Sequence, residues 1–295
     1  MHKTMKTIKS LLAFCAFALI FSSCQKEEIN PASPVPAADA TDLQPQTGTD
    51  ESRDLGCMLL PAADYNKLPK MPDLPTVQTL PSSFTQICPP ILSQGGEGSC
   101  VAWGVGYSAR SIMKKYASGG SYSKSTNVYS PEYIYNQIKI SSDCNRGSYV
   151  STGLDLLVSQ GVCTWSSMPY SSTNGCSLMP TLFQRVAAGS HKITSWNTVS
   201  RTVSNFKNLV YTKKPIIVAG PVDNTFYNLV GSATVNSYNS AALIGHHCYT
   251  VVGYDDSRQA FRIMNSWGTN WGDAGYAWVS YNMITTLFAE AYVMS

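Results

Sequence analysis

Gln94-Gly95-Gly96-Glu97-Gly98-Ser99-Cys100-Val101-Ala102-Trp103 is the stretch whose reading decides the fold. A glycine-rich loop runs into a cysteine, and an amphipathic run starts there. Val101, Val105, Ile112, Met113 and Tyr116 recur at helical spacing. Lys114 and Lys115 fall in the last turn, and Gly119-Gly120 stop the run. Cys100 therefore sits in the first turn of a helix. A sulfur at that position faces unpaired backbone N–H groups, which favour thiolate. Taken alone, a cysteine beside a loop is more often a small buried side chain, so its partners decide.

Working outward, the elements before and after the helix differ. Ser130-Pro131-Glu132 carries an N-cap serine and a proline suited to the first helical position. Leu154, Leu156, Leu157 and Val158 mark a third helix closed by Gly161, and Val203 to Tyr211 a fourth. Ile216-Ile217-Val218, Tyr249 to Val252, Phe261-Arg262-Ile263 and Tyr276 to Val279 are short apolar runs separated by Gly, Asn and Asp, as in an antiparallel sheet or barrel. Helices followed by strands predict an α+β, two-lobed chain. The pattern places a helical lobe over about 85–200 and a β lobe over about 201–295.

The N-terminal part reads differently. In residues 1–23, Lys3, Lys6 and Lys9 precede an apolar stretch from Leu11 to Phe21, and Ser22-Ser23 lead to Cys24. The apolar run is short for a membrane span, so a processed signal is expected. It resembles the signal of bacterial lipoproteins, which implies lipidation of Cys24 and membrane anchoring. Gln25-Lys26-Glu27-Glu28 resembles a tag for export to the outer face of the outer membrane. Residues 24–56 are rich in Pro, Ala, Thr, Asp and Gln, and read as a flexible tether. Globular composition begins at Cys57, and Leu68 to Pro81 reads as extended chain.

Losing the leader's three lysines takes the formal net charge from +3 to zero. With no basic cluster, nucleic acid is not an expected partner. The nine cysteines include no Cys-x-x-Cys pair, so neither a metal site nor a cofactor is expected. Setting aside Cys15, Cys24 and Cys100 leaves Cys57, Cys88, Cys144, Cys163, Cys176 and Cys248, which allow about 15 complete pairings. Cys163 and Cys176 bracket a short loop and are the first choice of disulfide.

A cysteine nucleophile needs a base, and that base an orienting group. Beyond the leader only His191, His246 and His247 are available. His191 lies in Gly189-Ser190-His191-Lys192, a stretch read as surface. His246-His247-Cys248 begins a buried strand that ends Val252-Gly253-Tyr254. Asn265-Ser266-Trp267-Gly268 follows the next strand, where an amide oxygen can orient an imidazole and Trp267 can shield the bond.

These residues resemble the papain family of cysteine peptidases. Gln94 to Trp103 is similar to its Gln-Gly-x-x-Gly-Ser-Cys-x-Ala segment, His247 with Gly253-Tyr254 to its histidine strand, and Asn265 to Gly268 to its asparagine segment. The resemblance covers roughly residues 80–295. It implies a two-lobed fold with the cleft between a helical lobe and an antiparallel, barrel-like β lobe. It implies Cys100 as nucleophile, His247 as its ion-pair partner and acid, Asn265 as orienter, and Gln94 with the Cys100 N–H as oxyanion donors. His246 is the competitor for His247, but the six-residue count to Gly253 favours His247. Gly147 and Cys248 would border a substrate pocket, although Cys248 reads more simply as a small buried side chain.

The chain departs from the family in three places. Glu97 replaces a half-cystine whose partner resembles Cys144, Val101 replaces an aromatic, and residues 25–80 are too short and Pro-rich for the helical pro-domain. The expected activity is that of a lipid-anchored, monomeric endopeptidase acting on protein or peptide. An exopeptidase or acyl-transfer relative, and a non-catalytic surface-binding lipoprotein, are the alternatives.

Overall fold

A computed structural model describes residues 53–75, 79–172 and 175–295. The signal, Cys24, the Gln25-Lys26-Glu27-Glu28 tag and most of the tether lie outside them. The strands are β1 Cys57–Met58, β2 Ser83–Thr85, β3 Ser148–Tyr149, β4 Trp196–Thr198, β5 Ile216–Asp223, β6 Thr234–Val235, β7 Leu243–Asp255, β8 Ala260–Met264, β9 Tyr276–Ser280 and β10 Glu290–Met294. The helices are α1 Ala62–Tyr65, α2, α3 Pro131–Ile138, α4 Val150–Ser159, α5 Leu182–Ala188, α6 Val203–Tyr211 and α7 Asn224–Tyr227.

Helix α2 joins Cys100–Ala102, a π-helical stretch Trp103–Arg110, and Ser111–Ser118. Wide π turns occur mostly at functional sites, and this one begins three residues past Cys100. Ser130 caps α3 as expected, its hydroxyl accepting from the Tyr133 N–H at 3.0 Å. Valines and leucines of α2 and α4 pack with the tyrosines of α3 in one buried cluster.

A second cluster fills the β lobe, from Val199 and Phe206 through Trp267 and Trp271 to Phe288. Its sheet runs β4-β10-β5-β7-β8-β9-β6, with β2 added to β7. The expected strands are all present. The sheet is not purely antiparallel, because β6 pairs parallel with β9. Long β7 is the spine: it pairs with β5, β8 and β2. Its register sets Gly220 of β5 opposite His247, and fixes which way that side chain faces.

The disulfide differs from the first choice. Cys144 bonds Cys176, with Cα atoms 5.7 Å apart, while Cys163 is a free buried thiol. Cys163 lies in the helical core, where its carbonyl accepts from the Ser130 N–H. Short sequence distance was the wrong guide, because tertiary approach decides pairing. Glu97, Cys144 and Cys176 gather ligand-type atoms within 4.8 Å of one another, but the disulfide uses both sulfurs. A bond across 32 residues is worth about 3–4 kcal/mol by chain entropy. Reduction, or Cys144→Ser, should lower the unfolding free energy by about 3–4 kcal/mol and the thermal midpoint with it, measured by calorimetry. Cys163→Ser should leave the midpoint's response to reductant unchanged.

His191 is half-buried instead of free on the surface. Its ring meets Tyr129 edge-on at 5.1 Å, because the chain after α5 folds back on α3's neighbours.

Candidate active site

Cys100 is the first residue of α2 and is 0 % exposed. His247, on β7, is also 0 % exposed. Its Nε2 lies 2.7 Å from Oδ1 of Asn265, which follows β8. The same Oδ1 accepts the Ser266 N–H at 2.8 Å, so the amide is held from two sides. The other ring nitrogen, Nδ1, is buried without a hydrogen-bond partner. Trp267 stacks on the imidazole, with centroids 4.2 Å apart and planes 24° from parallel. His246 alternates to the other face of β7, opposite Pro221, and is half-buried.

Gln94 is buried beside them. Its Nε2 donates to the Glu97 carbonyl at 2.8 Å and to the Asp54 carbonyl at 3.0 Å. Its Oε1 accepts from Ser266 Oγ at 2.7 Å. That last bond turns the N–H end of the amide towards the cleft. Ser266 was quoted in the sequence motif without a role; it fixes which end of Gln94 faces outward. Tyr170, which no local pattern marked, donates to the Gln94 carbonyl and meets Ser99 Oγ, both at 2.7 Å.

Glu97 lies under this loop. Its Oε1 accepts the Cys176 N–H at 3.2 Å, and Tyr170 reaches Oε2 at 3.4 Å. Burial pushes its pKa up to about 7, with the nearby Glu132 adding to the rise. Folding therefore favours the protonated acid. The destabilisation is absent below the usual carboxylate range, grows as pH rises from about 4.5 to about 7, and is full above that. Glu97→Gln should flatten the fall in melting temperature between pH 5 and pH 8, followed by scanning fluorimetry. An unchanged slope would assign that fall to other groups.

The cleft is not open. Arg53 to Gly56, assigned by composition to the flexible tether, continue into β1 and lie across it. The Asp54 carbonyl takes the Gln94 N–H, and β1 pairs parallel with β3. Gly56 passes so close to Gly98 that a Cβ there would lie 1.8 Å from the Gly98 carbonyl oxygen. A Cβ on Gly147, which has φ +74°, would lie 2.0 Å from the Gly56 carbonyl oxygen. Composition missed this because the segment is held by backbone contacts at Gly56 and by two isolated side chains, Leu55 on the β-lobe core and Arg53 on Tyr227, which form no periodic pattern. Gly147 thus lies against the strap at Gly56. Cys248 is buried against α2, where a Cβ on Gly104 would meet its Sγ at 2.8 Å.

This cover reverses the electrostatics expected of Cys100. The N–H groups of Cys248, Gly56 and Val101 pull its pKa down, yet burial outweighs them and holds it up at about 11. Burial likewise pushes His247 down to about 4 against the upward pull of Asn265. Near neutral pH the covered pair is thiol and neutral imidazole. The thiolate expected from the helix start needs solvent, or a counter-charge, that the closed cleft withholds. Gly56→Val cannot keep the strap in place, and overpacking of this kind costs about 1–3 kcal/mol, so the open population should rise about 5- to 150-fold. The rate of Cys100 alkylation by iodoacetamide measures it, and an unchanged rate would mean that the strap does not guard Cys100.

The sequence profile described as papain family cysteine protease matches residues 82–294. This chain belongs to that family. Among relatives, it is 30% identical over 201 residues to gamete and mating-type specific protein A of Dictyostelium discoideum. That alignment takes in 67% of this chain and 42% of the relative, so the chain spans less than half of that longer protein. It is 27% identical to cathepsin B-like CP2 of Giardia intestinalis over 212 residues, 69% of this chain and 68% of the relative. Among solved structures, xylellain, a cysteine protease from Xylella fastidiosa, superposes with a TM-score of 0.72 at 25% identity. The superposition covers 83% of this chain and 97% of xylellain. Procathepsin B S9 from Trypanosoma congolense, at 16% identity and a TM-score of 0.63, shares the fold. The papain-like chain is therefore α+β and two-lobed, with the helical lobe and the sheet meeting where α2 packs on β7.

Proposed function

We propose that the chain is a cysteine-type endopeptidase working through Cys100, His247 and Asn265, with Gln94 as oxyanion donor. One observation carries the reading: His247 is bonded through Nε2 to Asn265, shielded by Trp267, and left with Nδ1 unpartnered. A ring so held has one nitrogen free to exchange a proton with a thiol. Once the cleft opens, water and substrate dipoles restore the charged forms, and Nδ1 takes the Cys100 proton. The thiolate then attacks the peptide carbonyl, forming the C–S bond. The oxyanion receives the Gln94 Nε2–H and the Cys100 backbone N–H, which lacks a partner in a helix's first turn. The imidazolium protonates the leaving amine, and water hydrolyses the thioester.

The Asp54 carbonyl on Gln94 Nε2 supports this assignment, since a carbonyl of the chain itself already uses that donor. Losing one such donor typically costs about 100- to 1,000-fold in kcat. Gln94→Ala should show that loss with little change in KM, measured on a fluorogenic peptide. A smaller effect would leave the oxyanion to the backbone alone.

The proposal extends to place: cleavage before Cys24, acylation of its sulfur, and anchoring to the outer membrane, facing outward. A flexible tether of this length spans about 30 Å on average, enough to clear lipid head groups. Fractionation with protease shaving of intact cells tests it. Protein that resists shaving would place the enzyme on the periplasmic side, and membrane-bound Cys24→Ala would refute lipid anchoring. The expected substrates are exogenous or envelope proteins, cleaved by a monomer.

A further inference from the structure

Three free buried thiols stand on elements packed together at the covered cleft: Cys57 on β1, Cys100 at the start of α2 and Cys248 on β7, the strand on which both β1 and α2 rest. Of the other two free cysteines among the described residues, Cys88 lies in a different cluster, and Cys163 shares the helical core but follows α4, where its carbonyl accepts the Ser130 N–H. Cys57 belongs to the strap and is 5 % exposed. The residue before it, Gly56, lies against the Gly98 backbone, two residues before Cys100. The strap is pinned on both sides of Cys57. Asp54 is held at Gln94, the Ser148 N–H donates to the Gly56 carbonyl at 2.9 Å, and the Leu60 N–H donates to Glu290 Oε1 at 2.5 Å. Burial raises the Cys57 pKa, and the nearness of Cys100 and then Cys248 adds to the rise. Nothing in the packing requires a thiol here. A strap held by Arg53 on Tyr227, Leu55 on the β-lobe core and the backbone contacts of Gly56 would lie down equally well with alanine or serine at position 57.

We propose that Cys57 and Cys100 are a disulfide-forming pair, by which oxidation latches the strap onto the nucleophile and reduction frees it. The inference rests on the reading of Cys100 as nucleophile, and adds a modification site and a means of regulation. The oxidant is a low-molecular-weight disulfide, R–S–S–R, reaching the pair while the strap is lifted. The Cys57 thiolate attacks one sulfur, forming Cys57–S–S–R and expelling R–S⁻. The Cys100 thiolate attacks the Cys57 sulfur, forming the Cys57–Cys100 bond and expelling the second R–S⁻. Two protein thiols are oxidised, the small disulfide is reduced to two thiols, and these carry away the two protons. A small thiol in excess reverses both exchanges. Cys100, rather than Cys248, is the partner because Gly56, the residue before Cys57, packs against the backbone of Gly98, two residues before Cys100.

The test uses the full chain, incubated with oxidised glutathione and then mapped by non-reducing peptide mass spectrometry. The expected product is a Cys57–Cys100 peptide pair, two hydrogens lighter than the separate thiols, which Cys57→Ser cannot form. Hydrolysis of a fluorogenic peptide should fall at least about tenfold in step with that product and return with dithiothreitol. A glutathione adduct retained on Cys57 or Cys100, or a Cys57–Cys248 pair, would overturn the proposal. The two readings separate cleanly. A chain that cross-links but hydrolyses no peptide in its reduced form keeps the pairing and loses the peptidase assignment; one that hydrolyses but never cross-links does the reverse.

Discussion

Cys100→Ala is expected to abolish peptide hydrolysis while leaving the domain folded. Without the sulfur there is no acyl-enzyme, and what remains is catalysis by binding and the oxyanion donors. Removing a nucleophile of this kind costs about 10⁴- to 10⁶-fold in kcat. Stability should change little. Sγ accepts N–H groups that alanine leaves unpaired, but the side chain is small and Val101, Ala102 and Val105 keep α2 packed. Turnover of a fluorogenic peptide and a thermal melt, measured on the same preparation, separate the two effects. A variant that retains near wild-type turnover removes Cys100 from the mechanism.

His247→Ala is the second large effect. The imidazole takes the thiol proton and returns it to the amine, so its loss should cost about 10³- to 10⁵-fold in kcat/KM. His246→Ala should cost less than about tenfold, because alternation along β7 turns it away from Asn265. The reverse ranking would mean that β7 is out of register by one residue. The reduced wild type should also show a bell-shaped rate profile. Its acidic limb reports loss of the thiolate as protons are added, and its basic limb loss of the imidazolium as they are removed. Since burial under the strap holds Cys100 up and His247 down, that profile belongs to the open form. Gly56→Val should raise its height by favouring the open form, with both limbs kept.

Local chemistry explains what was legible in the sequence. The Cys100 helix, the Ser130 cap, and the strands around His247 and Ile263 each follow from patterns within a dozen residues. The site inherits this legibility, because its parts lie at helix and strand ends that the patterns mark. Helix α5 was missed because it has no core face: Leu182, Phe183 and Val186 are 74%, 86% and 69% exposed. Strand β10 was missed because it is buried at every residue, Glu290 included, and so shows no alternation. The Cys144–Cys176 bond, the half-burial of His191 and the reach of Tyr170 depend on segments meeting in space. The expected thiolate failed for the same reason. Position at a helix start is local, whereas desolvation by residues 54–57 is tertiary, and it outweighs the helix.

The strap gives the nucleophile a restraint of its own. A few residues of backbone, held by Gly56 against Gly98 and Gly147, cover the cleft without any helix.

The most direct measurement treats the reduced full chain with a thiol-directed epoxide and maps the adduct by mass spectrometry. The account predicts one adduct, on Cys100, formed far more slowly in His247→Ala. An adduct on Cys57, Cys88, Cys163 or Cys248 with Cys100 unmodified would contradict it.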